Sequence, residues 1–389
     1  MCHRSLVFIS LCGIWASGCA SNGDAGHDSV HTDSAGVEIV SNTSPDRTLS
    51  WSLNHRLTLG GADEGPESFY QLSRPLVSFD DEGSMFVLNR QAFQVAKFSP
   101  GGQFEFAIGG EGEGPGEFLR PRGVASAPNG SFYVFDSGKG RLLRFSRDGS
   151  AEDEVVAGSA GARLLAFDAA LVTHHHRYFS DGYSEYLQLT EGSDTLLVAG
   201  TGLAQTRSFR YESCGFGMGI TGPVIFAPEL VWHGHKGGIA VNSEPGYVVN
   251  VFDEVGNLVR SVRRFDGARL ATTELADVWA KANPVRVRRG TGECVVPSEE
   301  VVEKRGYAEY VPWVSDVAFA PGGTLWVQRY ALPPDTSVID VFDATGVYVG
   351  TLDPAFPFPM AFLPNGDFLI SERDNLDVER LVIASLVTR

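Results

Sequence analysis

The chain has 389 residues, 43% of them apolar, and a formal net charge of −17 at neutral pH. That acidity excludes a nucleic-acid binder and a protein held to anionic lipid by its own surface, because both need clustered cations. The apolar fraction suffices for a large core, and the length implies two domains unless the chain is a closed array of repeats.

The first stretch, MCHRSLVFISLCGIWASGC, has a cationic start at Arg4, an apolar run over about residues 6–15, and Ala16, Ser17 and Gly18 before Cys19. It is too short to persist as a spanning helix and reads as a signal peptide over residues 1–18. The small residues followed by Cys19 resemble the lipobox of bacterial lipoproteins, which implies cleavage before Cys19 and lipid on its sulfur and new N-terminus. Residues 19–35 are polar and short of large apolar side chains, the composition of a flexible tether. Ala20, rather than an acidic residue after Cys19, resembles the outer-membrane sorting signal. The expected location is the bacterial envelope, on the periplasmic or cell-surface side, with the outer membrane favoured where there are two membranes.

The folded domain is expected over 36–389. GVEIVSN at 36–42 reads as an extra edge strand or a strap, and LSWSLNHRLTLGG at 49–61 as a strand. A glycine-rich run begins at Gly60 and recurs 49 residues later, matching Gly60 with Gly109, Gly65 with Gly114, Pro66 with Pro115 and Phe69 with Phe118. The second run is no phosphate cradle. Glu111, Glu113 and Glu117 would repel an anion, and Pro115 and Pro121 break any helix behind it.

From here the grammar repeats. In RPRGVASAPNGSFYVFDSGKGRLLRFSRDGSAEDEVV, period-two alternation and turn residues give strands near 122–127, 131–136, 141–146 and 152–157. Copies recur at 74–110, 162–200, 229–264, 314–352 and 358–387, the last short of one strand. Four short strands per repeat of about 40–50 residues mark propeller blades, so the sequence predicts an all-β, six-bladed propeller. The segment 49–61 supplies the missing strand and closes the ring, which removes its exposed edges. Between copies four and five, about 266–306 departs from the pattern. Leu275, Val278, Trp279 and Ala282 lie on one face of an expected helix at 273–282, capped by Thr272 or Thr273.

The stretch 109–149 resembles an NHL repeat in its glycine-rich entry, its Arg-Pro-Arg-Gly-Val-Ala, its Asn-Gly and its closing Asp-Gly. The segments DSAGVEIVSNTSP, VNVFDEVGNLVRSVRR, IDVFDATGVYVGTL and RDNLDVERLVIASL make 36–388 similar to the six-bladed propeller lipoproteins of bacteria. That resemblance implies a fold and no reaction.

Chemistry could reside in a few places. His174 and His176 share one face of a strand, as do His233 and His235, the latter pair on an innermost strand lining the channel. If both pairs reach one channel mouth, four imidazoles would hold a divalent metal such as Zn²⁺. Calcium would suit the oxygen-rich Asp80, Asp81 and Glu82, which a hairpin turn also explains, and no segment reproduces the motifs of lactonase-type propellers. Cys214 and Cys294 are an even pair for an oxidising compartment and are candidates for a disulfide. No nucleophile elbow of the G-x-S-x-G kind exists. Phe69, Tyr70, Phe118, Tyr178, Phe179, Tyr183 and Trp313 are candidate anchors for a protein or glycan, or core residues between blades, while Arg120, Arg122 and Glu117 suit inter-blade ion pairs.

The reading is therefore a monomeric, envelope-anchored propeller that recognises or scaffolds a protein or glycan partner without covalent chemistry. Its competitor is a metal-assisted hydrolase or lyase, similar to lactonases or amidating lyases, using the channel histidines.

Overall fold

The computed structural model describes residues 29–388 apart from 62–64, 66–67, 70, 159, 193, 216–218, 236, 266 and 290–291. The leader, Cys19 and Tyr70 lie outside the described residues. Antiparallel strands form six blades around a ring, each running from an inner to an outer strand. Blade 1 takes Val77–Phe79, Met85–Asn89, Gln94–Phe98 and Phe104–Gly109. Blade 2 takes Pro121–Ser126, Phe132–Asp136, Arg141–Phe145 and Ala151–Val156. Blade 3 is built from Ala160–Ala166, Ala170–Tyr178, Gly182–Glu191 and Asp194–Gly200, and two further strands, Ala204–Phe209 and Ile220–Pro223, extend it beyond the four expected. Blades 4 and 5 begin with the inner strands Val231–His235 and Val314–Phe319, and blade 6 with Ala361–Phe362.

Local chemistry explains the turns. Asp80 Oδ1 accepts from the N–H groups of Glu82 and Ser84, and the same device recurs at Asp253 with Val255 and Asn257, and at Asp343 with Thr345 and Val347. A short acceptor side chain that bonds its own backbone two and four residues on fixes each hairpin. Glu82 turns away from Asp80 and pairs with Arg147, so this trio forms no oxygen cage.

The glycine runs are blade connectors. Gly109 has φ 112°, and a Cβ there would lie 2.4 Å from the Phe93 carbonyl and 2.5 Å from the Phe118 ring. Only glycine permits both the conformation and the approach. Phe118 is thereby fully buried between blades 1 and 2, packed with Phe86, Phe132 and Phe145. Its repeat equivalent Phe69 is buried between blades 6 and 1. Each such ring contributes about 2–3 kcal/mol by leaving water. Both are therefore core residues and not ligand anchors.

Closure is more extensive than one strand. Ser52–Leu59 pairs antiparallel with Glu379–Val387 and completes blade 6. Upstream, Thr48–Leu49 adds parallel to the outer strand of blade 5, Tyr348–Leu352, and Val37–Asn42 adds parallel to that of blade 4, Leu258–Arg264. The segment at 36–42 is thus part of a strap that joins three consecutive blades, and it is not itself the edge of its sheet, because Ser29–Ser34 pairs along its outer side. Of the expected tether over 19–35, residues 19–28 lie outside the described residues, and Ser29–Ser34 forms a strand paired with Val37–Asn42, because the Ala35–Gly36 turn folds it back.

Polar groups lock the strap. Asn42 donates to the carbonyls of Arg263 and Gly346, and its Oδ1 accepts from Tyr348 N–H. Asp46 accepts from Arg264 of blade 4 and Arg329 of blade 5. Behind it, Asp340 and Arg264 are fully buried, and Asp340 accepts from Arg329, Tyr247 and Thr351.

The insertion contains two helices, α1 (Thr273–Ala282) and α2 (Ser298–Arg305), and a hairpin of Arg286–Arg289 with Gly292–Val295. Thr272 caps α1 by accepting from Leu275 N–H. Its buried face centres on Ala276 and Ala280, rotated by one residue from the expected apolar stripe, because small side chains let the two helices approach. Leu275 and Trp279 flank that face half-buried.

Candidate functional site

The inner strands carry two cavities, one at each end. At the end where each inner strand turns into the second, a cavity of about 370 Å³ is lined from all six blades, by Ser78, Ala125, Leu164, His233, Gly322 and Phe362 among others. His233 and His235 are both on its wall. Burial, reinforced by Arg74 nearby, pushes His233 well below the usual imidazole value, and the neutral ring accepts from Phe319 N–H through Nδ1. Arg74 ties the ring's centre together, with 2.7 Å to Asp316 and bonds to the Val317 and Pro359 carbonyls. Burial lowers its pKa to about 10.

The second cavity, about 640 Å³, lies where the inner strands of blades 4 and 5 begin, beneath the insertion. Its walls include Phe226, Trp279, Tyr307 and Tyr330, three carboxylates (Glu229, Glu244 and Glu309), and the single guanidinium of Arg305. Arg305 lies over the Trp279 ring at 4.9 Å. The insertion is pinned here by a disulfide between Cys214 and Cys294, whose Cα atoms are 5.8 Å apart. Cys214 packs in one cluster with Ala276, Ala280, Val301 and Val302. The cross-link thus joins the blade 3 extension to the roof of the cavity.

At the same end of the ring, blade 3 gathers His174, His176 and Glu185. The register sets His176 opposite Glu185, and His174 sits two residues along on the same face. Each imidazole Nε2 lies 3.3 Å from a different oxygen of the Glu185 carboxylate. The two rings stack at 5.2 Å with 20° between their planes. Glu185 also accepts from Leu230 N–H at 2.7 Å, which fastens blade 3 to blade 4. Burial would raise the Glu185 pKa, but contact with His174, the Leu230 amide and the charge of His176 together hold it below the usual carboxylate value. Next in chain to Leu230 is Glu229, which stays accessible from the cavity although the protein around it, and the Glu185 charge, raise its pKa.

The four histidines expected at one mouth are therefore split. His174 and His176 converge on Glu185, whereas His233 and His235 line the cavity at the other end, and among the described residues no metal-binding group contains all four. The inner and second strands run in opposite directions, so residues late in the second strand sit beside the start of the inner one. Glu185 was absent from the sequence expectation. Its signal lay in the hairpin Ala170–Tyr178/Gly182–Glu191, whose short turn brings 176 opposite 185.

The remaining candidates fall elsewhere. Tyr178 and Phe179 are exposed by 75% and 50%. Tyr183 is half-buried against His176, and Trp313 stacks on Phe265 and donates to the Gly267 carbonyl. The Glu117 carboxylate turns back on Gly114 N–H, and Arg122 donates to Ser137, so the expected inter-blade pairing gives way to capping within the connector.

A family model described as a 6-bladed beta-propeller matches residues 72–157. No curated protein matches the chain. Among solved structures, a Bacteroides fragilis protein named as an inferred exported protein is similar at 11% identity, with a TM-score of 0.54 over 90% of this chain and 99% of that one. A DUF4221 family member from Bacteroides vulgatus is similar at 11% identity, with a TM-score of 0.52 over 87% and 99%. At such identities the likeness is one of fold. No helix among the described residues is long and apolar enough to cross a membrane.

Proposed function

We propose that the chain is an exported, lipid-anchored recognition propeller of NHL-like blades, which captures a basic segment of a protein partner at the cell envelope without covalent chemistry. The observation that carries the reading is the cavity beneath the insertion, where Glu229, Glu244 and Glu309 face one cation, Arg305, among aromatic walls. Carboxylates and ring faces together suit a Lys or Arg side chain, which gains charge pairing and cation–π contact at once. A bound cation would also relieve the repulsion between Glu229 and Glu185. Anchoring rests on Arg4, the apolar run and the Ala16, Ser17, Gly18, Cys19 sequence.

The test is titration of the protein with labelled short basic, acidic and neutral peptides and with neutral oligosaccharides. The expectation is binding of the basic peptide that weakens with salt and drops at least about tenfold in Glu229→Gln/Glu309→Gln, as two lost charge contacts imply. Binding of oligosaccharides alone would reassign the ligand to a glycan, and binding of the basic peptide unchanged in the double variant would place recognition elsewhere. A second reading, a metal-assisted hydrolase or lyase, is favoured by one observation, the grouping of His174 and His176 on Glu185.

A further inference from the structure

We propose that His174, His176 and Glu185 form a three-ligand site for a divalent transition-metal ion of the zinc class. The inference is independent of the recognition reading and rests on spacing. Each Nε2 stands 3.3 Å from its carboxylate oxygen. A charge-assisted N–H···O bond is about 2.7–2.9 Å, so both contacts are longer than the optimum for direct pairing. Two ligand atoms bound to one tetrahedral zinc, at about 2.0–2.1 Å each, stand about 3.3 Å apart. Each imidazole–carboxylate spacing matches that of two ligands on a shared ion, and the three donor atoms all lie within 4.8 Å of one another.

A second observation points the same way. Nε2 of His174 is buried and makes no hydrogen bond. Its polar neighbour among the described residues is the Glu185 oxygen 3.3 Å away, and an ion held jointly with Glu185 and His176 would give it a directed bond in place of that loose contact. The ligands are preorganised, since all three project from one face of two hydrogen-bonded strands, and the Leu230 N–H braces Glu185 from behind. Side-chain exposure rises from 10% at Glu185 and 15% at His174 to 32% at His176, so the open side of the set is the His176 side. Three protein ligands with one open position is the arrangement of zinc sites that keep a water or bind a further group. Two imidazoles and one carboxylate suit zinc and its neighbours better than calcium or magnesium, which take oxygen donors.

The experiment is calorimetric titration of the chelator-stripped full chain with Zn²⁺, beside Ca²⁺ and Mg²⁺, with Co²⁺ absorption as a reporter of ligand geometry. We expect one Zn²⁺ per chain, a Co²⁺ spectrum of low coordination number, and affinity weakened at least about tenfold in His176→Ala and in Glu185→Gln, as loss of one ligand implies. His55→Ala, an exposed histidine outside the site, should bind as the parent does. Glu185→Gln keeps a carbonyl oxygen for Leu230, and thermal melts of both variants beside the parent separate lost binding from lost folding. Absence of Zn²⁺ binding, preference for Ca²⁺ or Mg²⁺, or Zn²⁺ binding unchanged in both variants would each overturn the proposal.

Discussion

Replacing Asp340 by Asn tests how the strap is held. Asp340 is fully buried, and its carboxylate takes two bonds from Arg329 at 2.8 and 2.7 Å, one from Tyr247 at 2.7 Å and one from Thr351 at 2.6 Å. Arg264 Nε, equally buried, stands 3.7 Å away. Every neighbour is a donor or a cation, so the amide both removes the countercharge and turns an N–H group toward other donors. Breaking a buried ion pair from one side costs about 3–5 kcal/mol, because the remaining guanidiniums keep their desolvation and here are left with only the half-exposed Asp46 as countercharge. Taking about 4 kcal/mol and an unfolding entropy of about 2.1 cal/mol/K per residue over some 360 residues, the melting temperature should fall by about 5 °C. Differential scanning calorimetry of parent and variant in one buffer reads this directly. Limited proteolysis should find new cleavage near residues 43–51, since Asp46 shares both arginines with Asp340. A triple variant, Asp340→Leu with Arg264→Met and Arg329→Met, should recover much of the loss, as no buried charge is left unpaired. A melting temperature for Asp340→Asn within about 1 °C of the parent would refute the account, because no compensated buried carboxylate behaves so.

Two further outcomes follow from the same geometry. Hydrogen bonds from Arg329, and then from Arg264, hold Asp46 down to about 2 from an ordinary 3.8. Its contribution to stability is therefore complete above about pH 4 and lost as the pH falls toward 2. Acid unfolding should accordingly be less steep in Asp46→Asn over that window, by an amount that shrinks in high salt because the side chain is 53% exposed. Reduction of Cys214–Cys294, or the double Ala variant, removes a link spanning 80 residues, which chain entropy values at about 4–5 kcal/mol. Hydrogen exchange should show α1 and α2 opening while the blade cores stay protected, and equal opening of ring and insertion would count against a local clamp.

The all-β class, the six repeats and the helix at Thr273–Ala282 were legible in the sequence because they rest on local chemistry. Strand alternation, Asp- and Asn-led turns, and the pairing of Gly109 with Phe118 each operate within a few tens of residues. The strand that closes blade 6 was legible too, since one repeat lacked a strand and the N-terminal segment had one to give. What the tertiary structure alone decided involves distance along the chain. Asn42 bonds the carbonyl of Gly346 and Asp46 binds Arg329, so the strap's grip on three blades depends on contacts some 300 residues apart that no local pattern encodes. The histidines show the same limit within a single blade: alternation put His174 and His176 on one face, but the hairpin register brought Glu185 to them. Strand direction then sent His233 and His235 to the other end of the ring. Side-chain type and period are properties of the chain, whereas which groups meet is set by register and blade order, and these exist only once the ring has closed.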